Sequence, residues 1–229
     1  MNGNYRGQTI LHQAAARPQW ASQSSQQDAA VSADFSPSMA EEKGRAAWAA
    51  IRGLLSELGH QVNKDAFRVA LIRFASTARV LYPLTKATKL LGLPAEPPDD
   101  AFSEGGTNIT AGLEAALSIL KPSEGWGKGN RLFLRPVCLL FSDGCHNTGP
   151  EPAEVAARVK EGADLVTVAF GEDADEGLLR SLATSKSHFY RCADGRDLRR
   201  FMAAVGATMI QTRAQGMNAT QALSNVRGV

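Results

Sequence analysis

Five side chains bearing hard oxygen, spread over three short segments, are the part of this chain best equipped for chemistry. The segments are Asp34-Phe35-Ser36-Pro37-Ser38, Gly105-Gly106-Thr107-Asn108 and Phe141-Ser142-Asp143-Gly144. They offer the carboxylates of Asp34 and Asp143 and the hydroxyls of Ser36, Ser38 and Thr107. Such donors suit Mg²⁺ or Mn²⁺ and serve zinc or copper poorly. The set also leaves a coordination position open to a ligand from outside. Asp34, Ser36 and Ser38 alternate, so extended backbone turns all three the same way. Thr107 stands just before a helix-like run, where it can cap the helix and still present its oxygen. Gly144 permits a sharp exit after Asp143. Two carboxylates held close together would raise a pKa or cost stability, and a divalent cation cancels that repulsion.

Each segment alone has a plainer reading. Asp-x-Ser-x-Ser is common at turns, Gly-Gly-Thr before a helix is often only a cap, and Ser-Asp-Gly after a strand is often only a turn. Their joint placement makes the metal reading specific, and that placement follows from the elements around them. Ala29 to Ala33 is a small-sided strand. Met39 to Leu58 has helical spacing of Trp48, Ile51, Leu55 and Leu58, ended by Gly59. Phe67 to Phe74 is a strand, and Arg79 to Tyr82 with Pro83 suits an edge strand. Asn108 to Leu120 is helical. Pro136 to Phe141 and Leu165 to Phe170 are apolar runs typical of strands covered on both faces. Helices over 151–161, 176–183 and 197–209 and a strand over 187–191 complete the pattern. Strands alternating with helices predict an α/β fold: a doubly wound, mostly parallel sheet with one antiparallel edge strand and helices on both faces. Ligands of such sheets bind beyond the carboxyl ends of the strands, where all three segments fall.

The three segments resemble the metal-ion-dependent adhesion site of the von Willebrand factor A (vWA) domain, and residues 28–205 resemble that domain as a whole. Its pattern is Asp-x-Ser-x-Ser, a threonine on a second loop and an aspartate on a third. Asp34, Ser36 and Ser38, then Thr107, then Asp143 match it. The resemblance implies a Rossmann-like fold. It implies Ser36, Ser38 and Thr107 as direct ligands, with Asp34 and Asp143 bound directly or through water. It further implies a protein partner whose Asp or Glu completes the coordination. Phe35, Pro37, Asn108, Cys145 and His146, beside the ligands, are the expected partner contacts. Two departures are visible. Bulky aliphatic residues usually precede the first aspartate, whereas Ala29-Ala30-Val31-Ser32-Ala33 stands here, predicting a loosely packed strand or one covered by the amino-terminal arm. Pro37 replaces the usual glycine and predicts a stiffer loop.

Composition is consistent with this and narrows the alternatives. The chain has 229 residues, 44 % apolar, with a formal charge of +2. Residues 1–27 read as an amino-terminal extension, mobile or ordered by a partner, and 206–229 as the end of the last helix and a frayed tail. Scattered lysine and arginine demand neither nucleic acid nor membrane as partner, and Arg196, Arg199 and Arg200 read as one face of the last helix. Cys138, Cys145 and Cys192 do not form a disulfide framework, and no apolar run reaches the roughly eighteen residues of a membrane span. A cytoplasmic location is the simplest expectation, and it makes the Asn218-Ala219-Thr220 glycosylation sequon irrelevant. Cys145, His146, His188 and Cys192 have the wrong spacing for zinc. Gly125-Trp126-Gly127-Lys128-Gly129 lacks the spacing of a phosphate-binding loop. The expected function is non-catalytic, metal-dependent binding of a protein partner, as in stand-alone bacterial adaptors of the TerY type. The competing classes are a metal-dependent phosphoryl-transfer or hydrolytic enzyme and a structural subunit of an AAA+ ATPase-associated complex.

Overall fold

The computed structural model describes residues 25–63, 66–98, 100–120, 133–223 and 226. The readings of residues 1–24 and of Gly125–Gly129 lie outside these. Six strands form one sheet: β1 (Gln27–Asp34), β2 (Phe67–Phe74), β3 (Ala78–Lys86), β4 (Val137–Ser142), β5 (Asp164–Phe170) and β6 (Phe189–Cys192), in the order β3-β2-β1-β4-β5-β6. All neighbouring pairs are parallel except β2 with β3, which is antiparallel. Pro83 sits on β3 at the sheet edge, where its missing N–H leaves no ladder position unfilled. The strand order reverses between β1 and β4, which is the switch point where doubly wound sheets open a crevice.

Two apolar layers cover the sheet. On one face lie α1 (Glu42–Leu58) and α5 (Gly195–Ala214), with Trp48, Leu54, Phe201 and Met209 in the shared core. On the other lie α2 (Ile109–Leu120), α3 (Ala153–Gly162) and α4 (Glu176–Leu182), packed on Ala30, Ile72, Leu140 and Ala169. Residue 29 faces one layer and residue 30 the other, as the two-residue period of a strand requires.

Strand β1 is not loosely packed, contrary to the expectation drawn from its small side chains. It is central and buried along its whole length. Its small residues let α2 come close: a Cβ on Gly112 would stand 2.7 Å from the Phe74 ring and 2.8 Å from Ser32 Oγ. Order also begins before residue 28, since Ser25 and Gln26 are buried and Arg213 Nε donates to the Ser25 carbonyl at 3.0 Å. The first helix starts at Glu42 because Pro37–Met39 forms a separate 3-10 turn.

The carboxyl-terminal stretch is not frayed through Leu223. A short helix, α6 (Thr220–Leu223), straps the amino-terminal edge of the sheet. Ala219 and Leu223 are buried, Thr220 Oγ1 donates to Asp164 Oδ2 at 2.6 Å, and the Tyr190 hydroxyl donates to the Leu223 carbonyl. Arg135 binds the other Asp164 oxygen at 2.8 Å, so a buried carboxylate is satisfied from two sides. The separate signals of this strap were a lone leucine and a hydroxyl in polar sequence, too short for a period to register.

Two outcomes test this packing. Gly112→Ala should lower stability in urea by about 1–3 kcal/mol through overpacking, although alanine is the better helix former. Leu223→Ala should cost about 2–4 kcal/mol by the same measurement if α6 belongs to the folded unit, whereas a frayed tail would leave the midpoint unmoved.

Candidate metal centre

The end of β1, the end of β4 and the loop before α2 meet at the carboxyl edge of the sheet. Ala33 pairs with Phe141 in register, so the residues just beyond, Asp34 and Ser142, come side by side. Ser142 Oγ donates to Asp34 Oδ2, and the Ser36 N–H donates to Asp34 Oδ1 at 2.8 Å. Ser36 Oγ and Ser38 Oγ lie 3.0 Å apart, and Ser38 Oγ donates to Asp143 Oδ1 at 2.8 Å. Thr107 joins from the second loop. Its Oγ1 and Ser38 Oγ lie 3.5 Å and 3.8 Å from where a Cβ on Gly144 would stand. Gly144 therefore lies within van der Waals reach of both hydroxyls, which places them on the same side of the third loop. Asp34, Ser36, Ser38, Thr107 and Asp143 are therefore neighbours around one point of the sheet edge.

The loops are laced to each other. Asn147 Oδ1 accepts from the Thr107 N–H at 2.8 Å, and the Asn147 N–H donates to the Thr107 carbonyl at 3.1 Å. Asn108, rather than Thr107, caps α2: its Oδ1 accepts from the Ala111 N–H at 3.0 Å, and its Nδ2 donates to the Ser76 carbonyl at 3.1 Å. That frees the Thr107 hydroxyl for the site. Gly149, at φ +86, lets its backbone lie against the Asn108 amide, 2.5 Å from where a Cβ would stand.

Of the expected partner contacts, Pro37 and Cys145 are exposed. Phe35 is not: it is 2 % exposed, stacked on Phe102 at 5.2 Å and edge-on to Trp48 at 6.4 Å, because alternation from Asp34 turns it into the core. Asn108 is occupied as a cap, and His146 Nδ1 accepts from the Ile109 N–H at 3.2 Å while its Nε2 is buried. His188 is far from this edge in role, bonded to Ser185 and to the Thr220 carbonyl of the opposite strap.

Three residues of the site went unassigned in the sequence. Ser142 had a signal, a hydroxyl closing an otherwise apolar central strand. Asn147 had none beyond its place in a loop. Lys43 had none in a helix read from Met39; with the helix starting at Glu42 it falls in the first turn, where a cation opposes the helix dipole. Its Nζ nevertheless binds Asp143 Oδ2 at 2.7 Å.

The electrostatics fit a divalent ion. Asp34 and Asp143 are each 1 % exposed. Burial pushes the Asp34 carboxyl up to about 6, against the lowering effect of the Ser142 and Ser36 hydrogen bonds, with the Asp143 charge adding to the rise. Two carboxylates face one ammonium, so a negative charge remains uncompensated among hydroxyl oxygens. A hard cation supplies the missing charge and takes the donors present, which are carboxylate and hydroxyl oxygens.

The chain belongs to the von Willebrand factor type A domain family, whose model matches residues 30–204. No curated protein matches it. Among solved structures, it is similar to proximal thread matrix protein 1 of the mussel byssus, solved with a zinc-occupied MIDAS motif, at 19 % identity and TM-score 0.61 over 83 % of this chain. The chain spans 48 % of that protein. It is similar to the pilus adhesin SpaC of Lactobacillus rhamnosus GG, at 14 % identity and TM-score 0.67, over 82 % of this chain and 30 % of SpaC. It is also similar to BatB of Bacteroides thetaiotaomicron, at 17 % identity and TM-score 0.60, over 80 % of this chain and 98 % of that one. At these identities the likeness shows the shared fold. No helix among the described residues is long and apolar enough to cross a membrane.

The folded state holds the Asp34 proton up to about pH 6 and the unfolded chain only to about 3.8. Without metal, stability therefore falls as pH rises between these values, and at pH 7.5 the ionised group costs about 3 kcal/mol. Asp34→Asn should raise the urea midpoint in chelator at pH 7.5 and flatten the pH 4–6 slope. A less stable variant would contradict this account.

Proposed function

We propose that this chain is a non-catalytic, divalent-metal-dependent binding module that captures an acidic side chain of a protein partner. Asp34, Ser36, Ser38, Thr107 and Asp143 hold the ion. The observation that carries the reading is the chain of hydrogen bonds from Asp34 through Ser36 and Ser38 to Asp143 at the switch point of the sheet. When bound, the ion supplies a positive charge and a coordination position for a carboxylate from outside. Ser38 and Pro37 are exposed beside it, and Cys145 lies on the facing loop, so a partner has access. The surrounding interface would add affinity through its own buried contacts.

Non-catalytic use is supported by His146, the nearby histidine in sequence. A backbone N–H occupies its Nδ1 and burial encloses its Nε2, so it is not presented as a base to a substrate on the ion. Mg²⁺ is the proposed cation from the all-oxygen donor set, with Mn²⁺ as the closest substitute. The zinc seen in the mussel protein makes zinc the competitor to include. The resemblance to stand-alone bacterial members of the family supports an intracellular adaptor role in signalling or stress response.

Titration calorimetry with Mg²⁺, Mn²⁺ and Zn²⁺ tests the ion. Wild type should take up one Mg²⁺, and Asp143→Ala should lose it. Capture of partner from cell extract should then require Mg²⁺ and fail with chelator or with Asp143→Ala. Uptake of none of the three ions, or capture that ignores chelator, would overturn the reading.

A further inference from the structure

The site already contains a cation of its own. Lys43 Nζ lies 2.7 Å from Asp143 Oδ2, and the other Asp143 oxygen accepts from Ser38. The ammonium thus occupies one of the carboxylate oxygens on which a divalent ion would draw. Nothing in the helix favours a lysine at this position: it is the second residue of α1, where the dipole prefers an anion. The backbone leading to it is also unfavourable. Glu41 joins the 3-10 turn to α1 at φ 61, ψ −121, and is the one described non-glycine residue with positive φ. That conformation persists only where the surroundings enforce it. Glu41 joins the serine loop to the helix and Lys43 follows in its first turn, so the strained junction sets where the ammonium falls.

The two partners of the ion pair differ in freedom. The Asp143 side chain is fully buried, while the Lys43 side chain is 37 % exposed. Asp143 has nowhere else to go. Lys43 does: it lines a cavity of about 450 Å³ at the carboxyl ends of β5 and β6, together with Phe170, Gly171, Asp194, Arg196 and Arg199. Its Nζ is already 3.6 Å from the position of a Cβ on Gly171, whose φ of +88 and missing side chain leave that wall open. An ammonium displaced from Asp143 stays solvated and stays beside the site.

We propose that Lys43 is a tethered cation that holds Asp143 in the metal-free protein and yields it to the arriving divalent ion, swinging toward the adjacent cavity. The proposal rests on the metal-binding reading above and adds the residue that sets the affinity. In the metal-free state Lys43 offsets half of the Asp34–Asp143 charge and lowers the drive to bind an ion. In the loaded state the freed ammonium joins Arg199 and the Arg196–Asp194 pair, with Glu42 beside them, so this side of the ion gains one positive charge. An acidic partner then meets a second positive feature that appears only with the metal.

Titration calorimetry with Mg²⁺ on the full chain tests this, using wild type, Lys43→Met and Lys43→Arg, with circular dichroism to verify folding. Removing the competitor should tighten Mg²⁺ binding in Lys43→Met by about tenfold or more, the weight of a charge-assisted hydrogen bond. Lys43→Arg keeps a cation and should stay close to wild type. In chelator, Lys43→Met should melt below wild type, because two carboxylates are left without a counter-charge, and Mg²⁺ should raise its melting temperature more than that of wild type. A variant unfolded in chelator and folded by Mg²⁺ gives the same support in stronger form. Equal or weaker Mg²⁺ binding by folded Lys43→Met overturns the proposal and leaves the metal reading standing. Uptake by none of the three proteins overturns both.

Discussion

Two aspartates of like charge, buried at adjoining strand ends, are the constraint around which this molecule is organised. Asp34 closes β1 and Asp143 follows β4, and the parallel register of those strands leaves neither free to move away from the other. Everything nearby moderates the resulting charge. Ser142, Ser36 and Ser38 donate hydrogen bonds to the carboxylates, and Lys43 contributes a compensating cation. A folded protein that carries such a pair at its switch point has given up stability there. In proteins that cost is found at sites that bind or react.

The scaffold is built to make that arrangement stiff. Pro37 opens a 3-10 turn at its first position, where proline's fixed φ is already helical. Thr107 and Asn147 exchange two hydrogen bonds, so the second and third loops behave as one unit. Asn108 ties that unit to the end of β2 through the Ser76 carbonyl. Phe35, which sequence proximity had offered as a contact for a partner, is instead an anchor, stacked with Phe102 beneath the serine loop. Recognition by a site held in this way loses little conformational entropy on binding.

The parts legible in the sequence were those with a period or a chemical signature. Apolar runs at Pro136–Phe141 and Leu165–Phe170 announced buried strands, and Pro83 announced an edge. The oxygen donors stood out only as a set, since each segment alone also reads as a turn or a cap. What escaped was set by tertiary geometry. The small side chains of β1 suggested weakness, yet they are what allows Gly112 and α2 to approach. The strap of Ala219 to Leu223 holds the sheet through a buried Asp164, and no local pattern encodes a contact across 56 residues. Lys43 ran against helix preference, and its reason lies 100 residues away.

That last conflict carries the argument furthest. Where local preference and tertiary placement disagree, the residue is held by something other than its own element. Glu41 and Lys43 break a backbone preference and a helix-dipole preference within three residues. Both sit at the junction between the serine loop and α1. A glycine in place of Glu41 and an acid in place of Lys43 would have suited the local backbone and dipole and would have left Asp143 bare. The sequence instead places an ammonium on a fully buried carboxylate, on an arm exposed enough to leave. A permanent structural counter-ion would be better served by a fully enclosed arginine with a bidentate grip. A lysine with a single contact, an open cavity beside it and a rigid carboxylate in front of it is suited to exchange.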